Sequence, residues 1–138
     1  MTNLNDTFGE TISVYTTAEA IADGFLDVLD FEEMPSQRFK AGQILITDGM
    51  SEKMNIAIDE DFENYKRYIT TCLKLHLHGF WGNVCPRDGM QNDAALKYGC
   101  VASRIMSSFP TQVGSHENFW IITESDRSTT TILLPSEY

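Results

Sequence analysis

From Asp59 to Gly79 the chain carries the pattern that leaves it the least freedom. Phe62, Tyr65, Ile69, Cys72, Leu73 and His76 recur at helical spacing and make one apolar face. Asp59 reads as the N-cap. Glu60, Asp61 and Glu63 crowd the first turn, where the helix dipole favours acids. Lys74, His76 and His78 lie near the other end, and Gly79 stops the helix. A helix this long and one-sided needs an apolar surface to lie on. Three strand-like runs downstream can supply it: Val101 to Phe109, Phe119 to Glu124, and Thr129 to Leu134. The first connection, Pro110 to Asn118, is long and polar. The second, Ser125-Asp126-Arg127-Ser128, is tight, and together they predict an antiparallel meander.

The rest of the chain fills in around this frame. Thr11 to Tyr15 alternates as a short strand, and Thr16-Thr17-Ala18-Glu19 forms a capping box for a helix that stops at Gly24. Phe25 to Leu29 fits a strand or a resumed helix, and Asp30 to Lys40 reads as a loop. Gly42 to Thr47 reads as a strand. Asp48-Gly49 then marks a turn, and Ser51 caps a short helix through Asn55. Phe80 to Pro86 is an aromatic, glycine-punctuated loop, and Asp88 is expected to cap a helix ending at Gly99. The expected fold is α+β: a mixed or antiparallel sheet of four or five strands with two main helices on one face. Residues 1–35 are expected to form an acidic strand-helix module, 36–40 a linker, and 41–138 the core domain.

At 138 residues and 42% hydrophobic content the chain can bury one ordinary core. No apolar run reaches the roughly 20 residues of a membrane span. Met1 to Asp6 shows neither a basic nor an apolar leader region, so no signal peptide is expected. Cys72, Cys85 and Cys100 are odd in number and widely spaced, which fits reduced thiols and a cytoplasmic location. The net charge of −10 is unevenly placed. Residues 1–35 hold eight acids (Asp6, Glu10, Glu19, Asp23, Asp27, Asp30, Glu32, Glu33) and no Lys or Arg. The remaining residues hold twelve acids and ten bases. Such a segment opposes direct nucleic-acid binding, which needs a basic footprint. It suits either a basic protein partner or a plain solvated face.

The last nineteen residues, Trp120 to Tyr138 (WIITESDRSTTTILLPSEY), resemble the ending of a family of small plasmid- and phage-borne accessory proteins known as plasmid-related proteins. The resemblance extends upstream. His76, Gly79, Trp81 and Gly82 are similar to the family's His-x-x-Gly-Asp-Trp-Gly-Asp block. Asp88, Asn92-Asp93 and Ala95-Leu96 are similar to the acidic helix that follows it. Arg104-Ile105, Ser107-Ser108 and Gly42-Gln43-Ile44 fit the family's strands, so the likeness spans roughly residues 41–138. Phe80 and Asn83 stand where the family usually has Asp, which weakens any role for carboxylates flanking Trp81. Gly9 to Val28 resembles a second mobile-element segment. The resemblance implies a mobile genetic element as source and no known activity.

Three classes of function follow. The first is a non-enzymatic accessory protein that inhibits a host defence complex of anti-CRISPR or antirestriction type. It would occupy a basic nucleic-acid channel through Asp23, Asp27, Asp30, Glu32 and Glu33. The second is a nucleotide-binding or sponge protein whose ligand meets Trp81, Arg104, Glu124, Asp126, Arg127 and Thr129, since an Arg fork suits phosphate. A plainer reading has Asp126 closing an Asx turn and Trp81 plugging space between helix and sheet. The third is a metal-dependent hydrolase using Asp88, Asp93, Glu124, Asp126 and His76. Cys72 and His76 have the spacing of metal ligands, but no second pair follows, and His76 reads better as a hydrogen-bonded core residue. No cofactor or metal is expected.

Overall fold

A computed structural model describes residues 26–56, 58–98, 103–112 and 114–138. The strand expected at 11–15, the helix expected from Thr16 to Gly24, Asp23 and Cys100 lie outside the described residues.

The fold is α+β with a five-stranded mixed sheet. Its strands are β1 (Leu26–Leu29), β2 (Gln43–Thr47), β3 (Ile105–Pro110), β4 (Asn118–Thr123) and β5 (Thr129–Leu133). Their order across the sheet is β1-β2-β5-β4-β3. The last three form the expected antiparallel meander. β2 joins it in parallel against β5, and β1 pairs antiparallel with β2. Residues 26–29, left open between strand and helix, are thus a strand of the central sheet. The boundary expected at 36–40 therefore cuts through the described fold. The pairing is long-range, and no local pattern announces it.

Among the described residues three α-helices accompany the sheet: α1 (Asp48–Ile56), α2 (Ile58–Leu77) and α3 (Pro86–Lys97). Met50 and Met54 of α1, with Ile69, Cys72, Leu73 and Leu77 of α2, pack on one sheet face. They meet Ile44, Ile46, Phe109, Phe119, Ile121 and Ile132 there. Burying each large aliphatic of this kind is worth roughly 1.5–3 kcal/mol. From Ile69 to His76 the stripe read from the sequence is therefore the one α2 buries. Its end is a Schellman motif: Gly79 N–H donates to His76 O at 3.1 Å and Phe80 N–H to Leu75 O at 2.9 Å. Gly79 has φ +91°, as that motif requires.

Three helix starts differ from expectation, the smallest difference being at α2, which begins at Ile58 and so takes in Asp59, expected as its N-cap. α1 begins at Asp48, where a turn was expected, because distant groups serve as its caps. Glu137 Oε2 accepts Gly49 N–H at 2.7 Å, and Glu137 Oε1 accepts the Thr47 hydroxyl at 2.5 Å. α3 begins at Pro86 with Cys85 as N-cap, so Asp88 lies inside the first turn. Proline at the first helical position supplies the start that Asp88 was expected to make.

α3 packs at the sheet's β3 edge and seals it. Asn92 Nδ2 donates to Met106 O at 2.7 Å, and Asn92 Oδ1 accepts Met106 N–H at 3.3 Å. Ser108 N–H donates to Trp81 O at 3.1 Å, and Asn83 N–H donates to Ser108 O at 2.6 Å. An edge closed in this way offers no template for another strand. No described helix is long and apolar enough to cross a membrane.

Candidate functional site

The expected ligand residues divide between two places. Arg127 and Asp126 sit in the β4–β5 turn, which is bolted to the start of β2. Gln43 N–H donates to Ser128 O at 3.0 Å, and Gly42 lies so close that a Cβ there would collide with the Ser128 carbonyl. Asp126 Oδ1 accepts both the backbone N–H (3.0 Å) and the hydroxyl (2.6 Å) of Ser128. This is the Asx turn of the plainer reading. The hydroxyl, then the backbone N–H, hold the Asp126 carboxyl below its ordinary pKa.

Arg127 is the one described residue other than glycine with positive φ, +59°. Its Nη1 donates to Ser103 O and Glu124 O, each at 3.0 Å, and its guanidinium lies 5.7 Å from the centre of the Phe39 ring. The expected phosphate fork is thus bonded to backbone carbonyls. Thr129 begins β5 opposite Gln43.

Beneath this turn lies a buried polar relay that the helical stripe only hinted at. His76 is fully buried between Ser107 and Thr123. Nδ1 is 2.5 Å from Ser107 Oγ and Nε2 is 2.8 Å from Thr123 Oγ1. Thr123 Oγ1 is 2.8 Å from Thr130 Oγ1, and Thr130 donates to Ala41 O at 2.7 Å. A carbonyl can only accept, so Thr130 spends its proton there. Thr123 must then donate to Thr130 and accept from His76 Nε2–H, while Ser107 donates to Nδ1. The relay has one direction and one tautomer. Burial, followed by the positive charge of Arg127, lowers the His76 pKa to about 3, so the ring is neutral at ordinary pH. Phe39 and Trp81 close the sides at 5.3 and 6.0 Å between ring centres. Ser107 beside a histidine has the makings of an acid–base pair. All its atoms are enclosed, however, so the arrangement organises the core.

Trp81 is also structural in its contacts. Its ring packs with Ala95 and Ile105, and Nε1 donates to Asp93 Oδ1 at 2.9 Å. It plugs the space between α2, α3 and the sheet.

Arg104 and Glu124 form the second place. Arg104 Nη1 is 3.8 Å from Glu124 Oε2, its Nη2 donates to the Tyr138 hydroxyl, and its guanidinium lies 5.5 Å from the Tyr138 ring centre.

The expected hydrolase set does not converge. Asp93 holds Trp81, Asp126 holds Ser128, and His76 has hydroxyls on both ring nitrogens. Among the described residues no three His, Cys, Asp or Glu lie together as a metal site. Cys72 is buried, its thiol pushed up to about 11 by desolvation, and His76 has no nitrogen left to share with it.

Of the expected acidic contact residues, Asp30 and Glu32 are exposed on the chain leaving β1, and Asp27 lies within β1. Glu33 has a different task. Its Oε1 accepts Ala41 N–H at 3.0 Å and the Gln37 amide at 2.8 Å, and the Ala41 bond leads in lowering its pKa.

Sequence reasoning missed Phe39, Asn92, Ser107, Thr123, Thr130 and Glu137. One signal was present for three of them. Ser107, Thr123 and Thr130 occupy inward positions of apolar strands, which is where a buried polar partner shows itself.

The fold and these contacts define an α+β domain with a histidine-centred polar core and an acidic N-terminal segment. A scan against family models, a search of curated proteins and a search of solved structures each found no match.

Proposed function

We propose that the chain is a phage- or plasmid-encoded accessory protein that binds a basic surface of a host defence complex and blocks it, without chemistry of its own. The observation that carries this reading is the segregation of charge: eight acids and no Lys or Arg in residues 1–35, against near-neutrality elsewhere. The pairing of β1 with β2 adds to it, because it fixes the end of the acidic segment to the sheet and leaves Asp30 and Glu32 exposed beside it. A basic channel that normally holds nucleic acid is the matching surface. The polar residues best suited to catalysis are engaged in holding the fold, which favours binding over turnover.

Pull-down from a bacterial lysate with the full chain tests the reading. The expected partner is a basic nucleic-acid enzyme, released as salt rises and recovered in smaller amount at low salt when Asp30 and Glu32 become amides. Recovery of no such enzyme overturns it.

A further inference from the structure

A cavity of about 500 Å³ opens between α3 and the segment entering β3, lined by Gln91, Ala94, Ala95, Tyr98, Ser103 and Arg104. That volume is within the range of small-ligand sites. Three features make it more than a dent. Tyr98, at the end of α3, leaves 73% of its surface exposed at the rim, with Lys97 Nζ 5.4 Å from its ring centre. Ala94 and Ala95 add only methyl groups to the lining. Arg104 forms part of the wall, held in place by Tyr138. Its Nη1 is buried without a hydrogen-bond acceptor, since the 3.8 Å to Glu124 is an ion-pair distance and too long for a hydrogen bond. The rest of the side chain is about a quarter exposed, and it is this exposed part that a ligand in the groove can meet.

The charges narrow the ligand. Lys97 and Arg104 are cations beside the groove in a chain of net charge −10, and Glu124 already offsets part of Arg104. A polyanion would be repelled, whereas one negative charge is matched. We propose that this groove binds a small planar aromatic monoanion. The ring stacks on Tyr98, a single phosphodiester or carboxylate meets Arg104, and the Gln91 amide faces the ring edge. The proposal does not rest on the reading built on the acidic segment.

Calorimetric titration of the full chain with 3′,5′-cyclic AMP and, separately, with indole-3-carboxylate tests the proposal. One-site saturable binding of at least one probe is expected. Cyclic AMP alone identifies a phosphodiester ligand, and indole-3-carboxylate alone a carboxylate. Tyr98→Ala and Arg104→Lys should each weaken binding about tenfold or more. The exposed Tyr98→Ala change should leave the unfolding temperature unchanged, so it decides the matter even if Arg104→Lys fails to fold. Replacing Asp30 and Glu32 by amides should leave this binding intact. Absence of saturable binding by either probe, or binding undiminished in Tyr98→Ala, overturns the site.

Discussion

His76 concentrates the chemistry of the core in one side chain, and its neighbours dictate its state. Because Thr130 is committed to Ala41 O, the proton on the ring must sit on Nε2. Nitrogen NMR of the ring should show a neutral Nε2–H tautomer with an unprotonated Nδ1 throughout the range where the protein stays folded. The same burial has a consequence for stability. The ring's folded pKa, about 3, lies below its ordinary 6.5, so below pH 6.5 the unfolded chain binds a proton that the folded one refuses. Stability therefore falls as pH drops below about 6.5 toward the folded value. The lowered carboxyls of Asp126 and Glu33 act in the same sense, their contribution being present above the ordinary carboxylate pKa and lost as pH falls through the folded value. Urea unfolding at pH 7, 5.5 and 4.5 should show this slope, and His76→Gln should flatten it. Thr123→Val, which leaves Nε2–H without an acceptor, should cost about 1–3 kcal/mol at pH 7.

Elements here are closed by partners far along the chain. α1 starts where it does because Glu137 reaches back to Gly49. A carboxylate at a helix N-terminus satisfies orphan donors and suits the dipole. Glu137→Ala should cost about 1–2 kcal/mol in denaturant titration, with a loss of helical circular dichroism confined to one short helix. The β4–β5 turn depends equally on its neighbour. Gly42 has φ +69° and faces the Ser128 carbonyl, so Gly42→Ala meets both strain and collision with backbone. That variant should lose more than about 3 kcal/mol, enough to make it a poor folder by thermal denaturation. Much of the ending from Trp120 to Tyr138 is accounted for at this scale. Asp126 makes the turn, Arg127 ties it to Ser103 and Phe39, Thr130 ends the relay, Glu137 caps α1, and Tyr138 packs on Trp120.

For the molecule as a unit, the place of β1 decides what can be removed. Leu29 and Phe31 pack against the core, and Glu33 holds Ala41 N–H. A chain lacking residues 1–35 should therefore lose cooperative unfolding or aggregate through the bared β2 edge, as seen by calorimetry and light scattering. The amide replacement of Asp30 and Glu32 should leave the fold intact. On the proposed reading its effect falls on association with a basic partner: slower binding at low salt and little difference at high salt, measured by surface plasmon resonance. An amide variant that binds as fast as the unmodified chain at low salt would make the acidic segment a solvated face and nothing more.

Local pattern was enough to place α2, its glycine stop, the three-strand meander, the β2 strand and the Asx turn at Asp126. Each of these is written in residues close together, because amphipathic spacing and turn chemistry act over a few positions. The same locality explains why His76 could be read as a core histidine: it lies in the apolar stripe of its own helix. Its partners could not be read, since Ser107 and Thr123 lie 31 and 47 residues away. The cap of α1 comes from 88 residues away, and β1 enters the sheet only by pairing with β2. The tertiary structure alone also decided the role of Arg127, turned from an available fork into a clasp on backbone carbonyls. It likewise brought Tyr98 and Arg104 to one groove. Hydrogen-bond partners and cavities are properties of which surfaces meet, and the sequence states only which surfaces are able to.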